Sequence, residues 1–88
     1  MNDYVEFNTQ TSQYRLDVIL PRKGDQESVF MLTKLQIKEG EHSAVLPKQN
    51  FFARKSDIGL VYGCLFVGDM HTSHVSDPKG ITDLLERY

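Results

Sequence analysis

The chain has 88 residues, of which 40% are hydrophobic and 25% are charged, and its formal net charge is -2 at pH 7. This length predicts a single domain over residues 1–88, because chains below about 50 residues rarely bury a core of their own. The composition is that of a globular protein rather than a disordered or fibrous one. The 12 acidic residues nearly balance the 10 basic ones, which argues against an extended basic surface for nucleic acid and against an acidic nucleic-acid mimic.

The cysteine content and the apolar segments predict where the protein resides. A lone cysteine, Cys64, has no partner for an internal disulfide, which favours a reducing, cytoplasmic setting. The first residues show no basic region followed by an apolar run, so we expect no secretory signal. The longest apolar stretch, 58–67, is shorter than the about 20 residues that span a bilayer, so no membrane contact is expected.

Alternating patterns in the first half predict two strands joined by a turn. Residues 13–20 alternate between polar and apolar side chains, as a strand with one buried face does. Residues 28–38 are rich in β-branched and aromatic residues, which favours a strand over the alternative of a helix. We expect this second strand to be buried on both faces in its first part and on one face in its last part. Between the two, residues 21–26 combine proline, glycine and polar side chains, which is typical of a chain reversal.

Shorter strands are expected on either side of these two. Residues 4–8 are expected to add an edge strand at the beginning of the chain. A reversal at 38–41, where Gly40 can adopt a positive φ, leads to a short strand at 43–46 that Pro47 ends.

The segment 58–67 is apolar at both its odd and its even positions, which is typical of a strand that is covered on both faces. We therefore expect it to be the central strand of the sheet. Its glycines, Gly59 and Gly63, indicate a bulge or a close approach of another part of the chain.

The last residues, 78–88, predict a short amphipathic helix. Pro78 suits the first helical position because its missing N–H group would be unpaired there, and Ser76 or Asp77 can cap the helix. A helix this short is not stable alone in water, so we expect its apolar stripe to pack on the sheet or on a partner. The stripe consists of Ile81, Leu84, Leu85 and Tyr88.

The segment 47–55 combines aromatic, basic and amide side chains between predicted strands, and we expect it to be a loop. Single-stranded nucleic acid is bound by this combination, because rings stack on bases, cations contact phosphates and amides reach base edges. The alternative is that one phenylalanine belongs to the core, the other covers it, and the charges are solvated. The candidate binding residues are Lys48, Asn50, Phe51, Phe52, Arg54 and Lys55, extended by Arg15, Arg22 and Lys23 if the fold brings them alongside.

A polar loop is expected at 68–76, and it contains His71 and His74 with Asp69 close by in sequence. Imidazole and carboxylate groups bind zinc, manganese or iron. The spacing of the histidines is common, however, and no cysteine pair accompanies it, so an exposed pair of loop histidines is the simpler interpretation. A metal site at these residues is the weakest of our functional hypotheses, and no cofactor is predicted.

No motif in the sequence specifies catalysis. The chain contains no phosphate-binding loop, dinucleotide fingerprint or serine nucleophile elbow. Cys64 stands among apolar neighbours, where we expect a buried and unreactive thiol. We therefore expect the protein not to be an enzyme.

The expected fold is α+β, with about four or five mostly antiparallel strands and one short C-terminal helix packed on the sheet. A half-open barrel is the main variant. The functional hypothesis is a small non-enzymatic binding protein, a regulatory or accessory factor that contacts another protein. A single-stranded nucleic-acid-binding protein is the alternative, and a second copy of the chain is a further candidate partner because a domain this small buries little surface.

Overall fold

A computed structural model of the chain describes residues 3–37 and 49–88. These residues form seven strands, a short 3-10 turn and one C-terminal helix. The strands make two antiparallel sheets of four and three strands, and the helix packs on them. The α+β class with a short terminal helix is therefore confirmed. The reversal expected at 38–41 and the strand expected at 43–46 lie outside the described residues.

The first sheet has four strands in the order β1-β2-β3-β4. β1 lies at one edge, and β2 and β3 are joined by a turn in which Lys23 and Gln26 form an antiparallel bridge. These positions confirm the strands predicted at 4–8, 13–20 and 28–38 and the reversal between the last two. The strands are β1 (Tyr4–Asn8), β2 (Ser12–Leu20), β3 (Val29–Ile37) and β4 (Asn50–Arg54).

The second sheet corrects the prediction of one central strand at 58–67. It consists of β5 (Ile58–Val61), β6 (Cys64–Val67) and β7 (Met70–His74), in that order. Tyr62 and Gly63 have φ values of 51° and 80° and form a two-residue turn between β5 and β6. Two successive positive φ values match the hairpin turn whose twist suits a pair of antiparallel strands. The segment is therefore a hairpin, and β2 and β3 occupy the centre of the larger sheet.

Two segments expected to be loops are strands. Residues 50–54 of the segment 47–55 form β4, and residues 55–57 follow as a 3-10 turn. Within the segment 68–76, only Gly68 and Asp69 form the turn, and the next five residues are β7. Polar side chains on β7 obscured its alternation, although Thr72 is buried in the middle of the strand.

The two sheets share one core and are joined by backbone contacts. Thr9 and Val75 form an antiparallel bridge between them, and the Ser76 N–H donates to the carbonyl of Asn8 over 2.9 Å. Side chains of both sheets and of the helix meet in the interior. Among the residues that the structure describes, eleven hydrophobic ones are buried there: Phe7, Tyr14, Leu16, Val18, Phe30, Leu32, Leu65, Val67, Val75, Ile81 and Leu84.

The helix α1 (Lys79–Arg87) docks on this core as its apolar stripe predicts. Ile81 and Leu84 are fully buried, while Leu85 and Tyr88 are half-buried and pack against the core. The carboxylate of Asp77 accepts a hydrogen bond of 3.3 Å from the N–H of Lys79, the first residue of the helix.

The last residues of the chain are tied back to its beginning. The Tyr88 hydroxyl donates to the carboxylate of Asp3, and the Arg87 guanidinium lies 3.6 Å from the same carboxylate. The described residues include no helix with the length and apolar character needed to cross a membrane.

Near the end of β3 the charged side chain is buried and the apolar side chain beside it is exposed. Lys34 is fully buried and Leu35 is 36% exposed. The register shifts here, because Tyr14 lies opposite Lys34 and Gln13 opposite Gln36, which leaves Leu35 as the extra residue of a bulge. The Lys34 ammonium lies 5.6 Å from the centre of the Tyr14 ring. An aromatic face therefore helps to accommodate a buried cation in the core.

Candidate binding surface

The alternation of β4 places the two phenylalanines of the candidate segment on opposite faces of the sheet. Phe51 and Ala53 are half-buried and pack against the core. Asn50, Phe52 and Arg54 lie on the opposite face, where the Phe52 side chain is 63% exposed. Of the two rings, Phe51 therefore packs against the core and Phe52 lies at the surface.

The register of the larger sheet shows which side chains accompany Phe52. Tyr4 lies opposite Asp17, Asp17 opposite Met31, and Met31 opposite Phe52. These four residues form one row across all four strands, with a 51% exposed tyrosine at one end and the exposed phenylalanine at the other. We call the face that carries this row the outer face of the sheet. The neighbouring row consists of Glu6, Arg15, Thr33 and Asn50.

Arg15 is held in a defined orientation at the centre of the outer face. Its guanidinium carbon lies 3.7 Å from the centre of the Tyr4 ring. Its Nε donates to both carboxylate oxygens of Asp17, at 3.0 and 3.2 Å, and Asp17 is only 8% exposed. Within the described part of the chain the two terminal guanidinium nitrogens have no hydrogen-bond partner. The stacking and the ion pair thus present a fixed pair of donors to a ligand.

Two further pairs of polar side chains on the outer face are hydrogen-bonded across the strands. The Thr33 hydroxyl donates to Oδ1 of Asn50 over 3.0 Å. The Gln36 amide donates to Oε1 of Gln13 over 2.9 Å. These pairs order the side chains before any partner arrives, which reduces the entropy that binding removes.

The remaining residues of the candidate segment are not all brought to this face. Lys48 lies outside the described residues, and Lys55 begins the 3-10 turn and is half-buried. Of the three residues expected to extend the patch, Arg15 does lie on the outer face, whereas Arg22 and Lys23 lie beside or within the turn between β2 and β3. Tyr4 and Met31 were not singled out from the sequence, although the alternation of Tyr4 with Val5 and Phe7 was a usable signal.

The charges of the outer face are balanced. Arg15 and Arg54 contribute two positive charges, and Glu6 and Asp17 contribute two negative ones. Since Arg15 is already paired with Asp17, the face has little excess positive potential with which to attract a phosphate backbone.

Two ionisable groups of the core have shifted pKa values. Burial lowers the pKa of the Lys34 ammonium below its usual 10.5. Burial also raises the pKa of the Tyr14 phenol above its usual 10.0, and a hydrogen bond with Ser12 partly opposes this. Both groups belong to the interior, so their shifts concern stability rather than binding.

The two histidines lie on β7 of the other sheet, and each has a different neighbour on β6. His71 stacks on Phe66, with ring centres 5.1 Å apart and planes inclined by 21°. His74 lies opposite Cys64, and its ring covers Gly63. Across residues 3–37 and 49–88 no three His, Cys, Asp or Glu side chains are grouped closely enough to hold a metal ion. Cys64 is half-buried, which corrects the expectation of a buried thiol.

A groove of about 590 Å³ runs between β4 and the turn that joins β6 to β7. Residues 50–52 line one side, and residues 67–70 line the other. Phe51, Phe52, Val67 and Met70 make much of this lining apolar, while Asp69 adds a negative charge. The volume is in the range of pockets that hold small ligands or short peptide segments.

Comparison with known proteins identifies no relative. No protein-family model, no curated protein and no solved structure matches the chain. The fold and the outer face together describe a small α+β domain whose four-stranded sheet exposes aromatic and arginine side chains.

Proposed function

We propose that the chain is a small non-enzymatic binding protein, a regulatory or accessory factor that contacts another protein through the outer face of its four-stranded sheet. The observation that carries this proposal is the row of Tyr4, Met31 and Phe52, with Arg15 fixed over the tyrosine ring. Tyrosine, phenylalanine, methionine and arginine are the residues enriched in protein interfaces, and lysine is depleted there. The described outer face contains no lysine side chain.

The arrangement of the row also suits an interface. Strands in a sheet lie about 4.8 Å apart, so the two exposed rings at opposite ends are separated by about 14 Å. Two aromatic anchors at this separation, with ordered polar groups between them, match the pattern of a few dominant residues surrounded by complementary contacts.

The test is site-specific photo-crosslinking in a lysate of the organism that encodes the chain. Benzoylphenylalanine replaces Phe52 in one variant and Tyr62 in the control, since Tyr62 is 96% exposed on the turn of the other sheet. We expect a discrete protein adduct from position 52 that is lost when Tyr4→Ala and Arg15→Ala are added, and none from position 62. Adducts of equal yield from both positions, or from neither, would contradict the proposal.

A single-stranded nucleic-acid partner is the second candidate function. It is supported by the exposure of Phe52 between Asn50 and Arg54 on the same face. If this candidate holds, an oligonucleotide binds with an affinity that falls as salt rises, and Phe52→Ala weakens binding by about 1 to 3 kcal/mol. Phe51→Ala is not a suitable control because that ring packs against the core, so Tyr62→Ala serves instead. Undetectable or salt-independent binding would exclude this candidate.

A further inference from the structure

The free edge of the four-stranded sheet is β4. It pairs with β3 on one side, and in the described structure its other side makes no backbone pairing. Exposed edges present unpaired N–H and C=O groups to which another strand can add, and proteins commonly block them with proline, bulges or a covering element. Within Asn50–Arg54 there is neither a proline nor a shift of register.

The other edge of the same sheet is protected. β1 is contacted by the helix α1, and its last residue, Asn8, accepts a hydrogen bond of 2.9 Å from the Ser76 N–H. Just beyond β1, Thr9 forms its bridge with Val75, the residue that follows β7. Among the described residues, β4 is therefore the edge of this sheet without a backbone partner on its outer side.

The hydrogen bonds to β3 determine which groups of β4 point outward. The Lys34 N–H donates to the carbonyl of Gln49 over 3.3 Å, and the Lys55 N–H donates to the carbonyl of Ser28 over 3.0 Å. In an antiparallel pair, such hydrogen-bonded positions alternate with positions whose N–H and C=O face away. Residues 49, 51, 53 and 55 therefore bond to β3. The N–H and C=O groups of Asn50, Phe52 and Arg54 face the free edge.

We infer that an extended segment of the partner protein pairs with β4 as a fifth strand and lies in the groove between β4 and the β6–β7 turn. The inference rests on the proposed function for the class of the partner, and it specifies how that partner binds. Strand addition of this kind obtains affinity from main-chain hydrogen bonds and specificity from alternate side chains.

The chemistry of the groove defines the partner segment. Side chains that point to the inner side meet the apolar lining at Phe51, Val67 and Met70. An acidic side chain opposite Arg54 and a basic one near Asp69 complement the charges at the two ends. Every strand pair in both sheets is antiparallel, and we assign the same direction to the added strand.

A single strand fits this site better than the sheet edge of a second copy. The β6–β7 turn stands beside β4 across the groove, and residues 67–70 form the opposite wall. If two copies paired through β4, each would have to place its own β6–β7 turn against the other. An isolated extended segment needs only the groove.

The test uses a capped heptapeptide of sequence Thr-Glu-Val-Thr-Val-Lys-Thr, whose fourth residue lies opposite Phe52 in the antiparallel alignment. On titration we expect the amide protons of Asn50, Phe52 and Arg54 to shift downfield and to exchange more slowly with solvent. The amides of Phe51 and Ala53 already bond to β3 and are expected to change little. Methylation of the fourth peptide nitrogen should abolish binding, whereas methylation of the third should not, because that nitrogen faces away from β4.

A matched pair of protein variants separates the backbone from the side chain. Arg54 has φ -77° and ψ 158°, which proline accepts, so Arg54→Pro removes one outward N–H without breaking a bond to β3. Arg54→Ala removes the same side chain and keeps the N–H. We expect peptide affinity to fall less than about fivefold in Arg54→Ala and about tenfold or more in Arg54→Pro.

Four results would overturn the inference. The first is equal peptide affinity in the Pro and Ala variants, and the second is the absence of amide shifts up to about 1 mM peptide. The third is a concentration-dependent dimer, without peptide, that Arg54→Pro abolishes, because β4 would then pair with a second copy. If the adduct from position 52 persists in Arg54→Pro, the outer face binds its partner through side chains alone, and the proposed function stands without the added strand.

Discussion

The guanidinium of Arg15 covers the ring of Tyr4, with its central carbon 3.7 Å from the ring centre. The two residues lie on adjacent strands and in adjacent rows, since Tyr4 is opposite Asp17 and Arg15 is opposite Glu6. Asp17 completes the arrangement by accepting from the Arg15 Nε. One arginine is thus oriented by a ring on the neighbouring strand and by a carboxylate two residues further along its own strand.

Replacing Arg15 by an uncharged residue should lower the free energy of unfolding more than replacing it by lysine. Asp17 is almost buried, and without a positive charge at position 15 it would lose its ion-pair partner. We expect Arg15→Met to lower the free energy of unfolding by about 1 to 3 kcal/mol. Arg15→Lys should lower it by less than about 1 kcal/mol. Urea denaturation measures both. Adding Asp17→Asn to Arg15→Met should recover part of the loss, and a strictly additive double variant would contradict a direct interaction.

The two neighbouring phenylalanines should differ in their effects on stability. Phe51 packs against the core, so Phe51→Ala should lower the free energy of unfolding by about 1 to 3 kcal/mol. Phe52 is 63% exposed, so Phe52→Ala should change it by less than about 0.5 kcal/mol. Thermal and urea denaturation of the two variants give the comparison. Equal losses would mean that Phe52 also has a packing role and would weaken its assignment to the binding face.

Gly63 should tolerate alanine less well than Gly68. Both have positive φ, of 80° and 60°, and each substitution costs about 1 to 2 kcal/mol on that account. A Cβ at position 63 would also overlap the imidazole ring of His74, whereas position 68 has open space. We expect Gly63→Ala to be the more destabilising variant in urea denaturation.

The double variant Gly63→Ala with His74→Ala serves as the control for this comparison. Removing the imidazole should bring the loss at position 63 down to that of Gly68→Ala. If the double variant shows no recovery, the His74 ring does not contribute to the loss.

The docking of α1 predicts a graded series of stabilities along one helix. Leu84 is fully buried, Leu85 is half-buried and Glu86 is exposed. We expect Leu84→Ala to lower the free energy of unfolding by about 2 to 5 kcal/mol, and Leu85→Ala to lower it by less. Glu86→Ala should change it by less than about 0.5 kcal/mol. Urea denaturation tests the order, and a larger loss at Leu85 than at Leu84 would contradict the packing of the helix.

Stability at alkaline pH should depend on Tyr14. Its pKa is raised in the folded protein, so the unfolded chain loses this proton first, at its usual value of 10.0. The folded state therefore binds more protons above pH 10.0, and the free energy of unfolding falls as the pH rises through that region. Tyr14→Phe preserves the stacking on Phe7 and should show a weaker decrease in urea titrations above pH 10.0.

Lys34 acts in the opposite sense in the same pH range. Because its pKa is lowered by burial, the unfolded chain binds more protons below 10.5, and stability rises with pH toward that value. Both the wild type and Tyr14→Phe retain Lys34, so the difference between their pH profiles isolates the phenol. Identical profiles would show that Tyr14 titrates alike in the folded and unfolded states.

Local sequence patterns were sufficient to predict the elements whose apolar side chains recur at a regular spacing. The alternation of 13–20 and the i, i+3, i+4, i+7 stripe of 78–88 are consequences of strand and helix geometry. They predicted β2 and α1 with small errors at their ends. By contrast, 58–67 is apolar at both odd and even positions because it contains two short strands that each bury one face. A turn with positive φ at Tyr62 and Gly63 lies between them.

By itself, the sequence determined that this protein has an α+β fold rich in antiparallel strands, that its terminal helix buries one stripe, and that Phe51 and Phe52 stand among polar neighbours. The tertiary structure decided that β4 is a strand and that its odd and even residues separate the two rings. It also decided that Tyr4, Arg15 and Met31 join Phe52 on one face. Periodicity assigns side chains to two faces of an element, but pairing between distant strands selects the neighbours of each face and the face that meets the core.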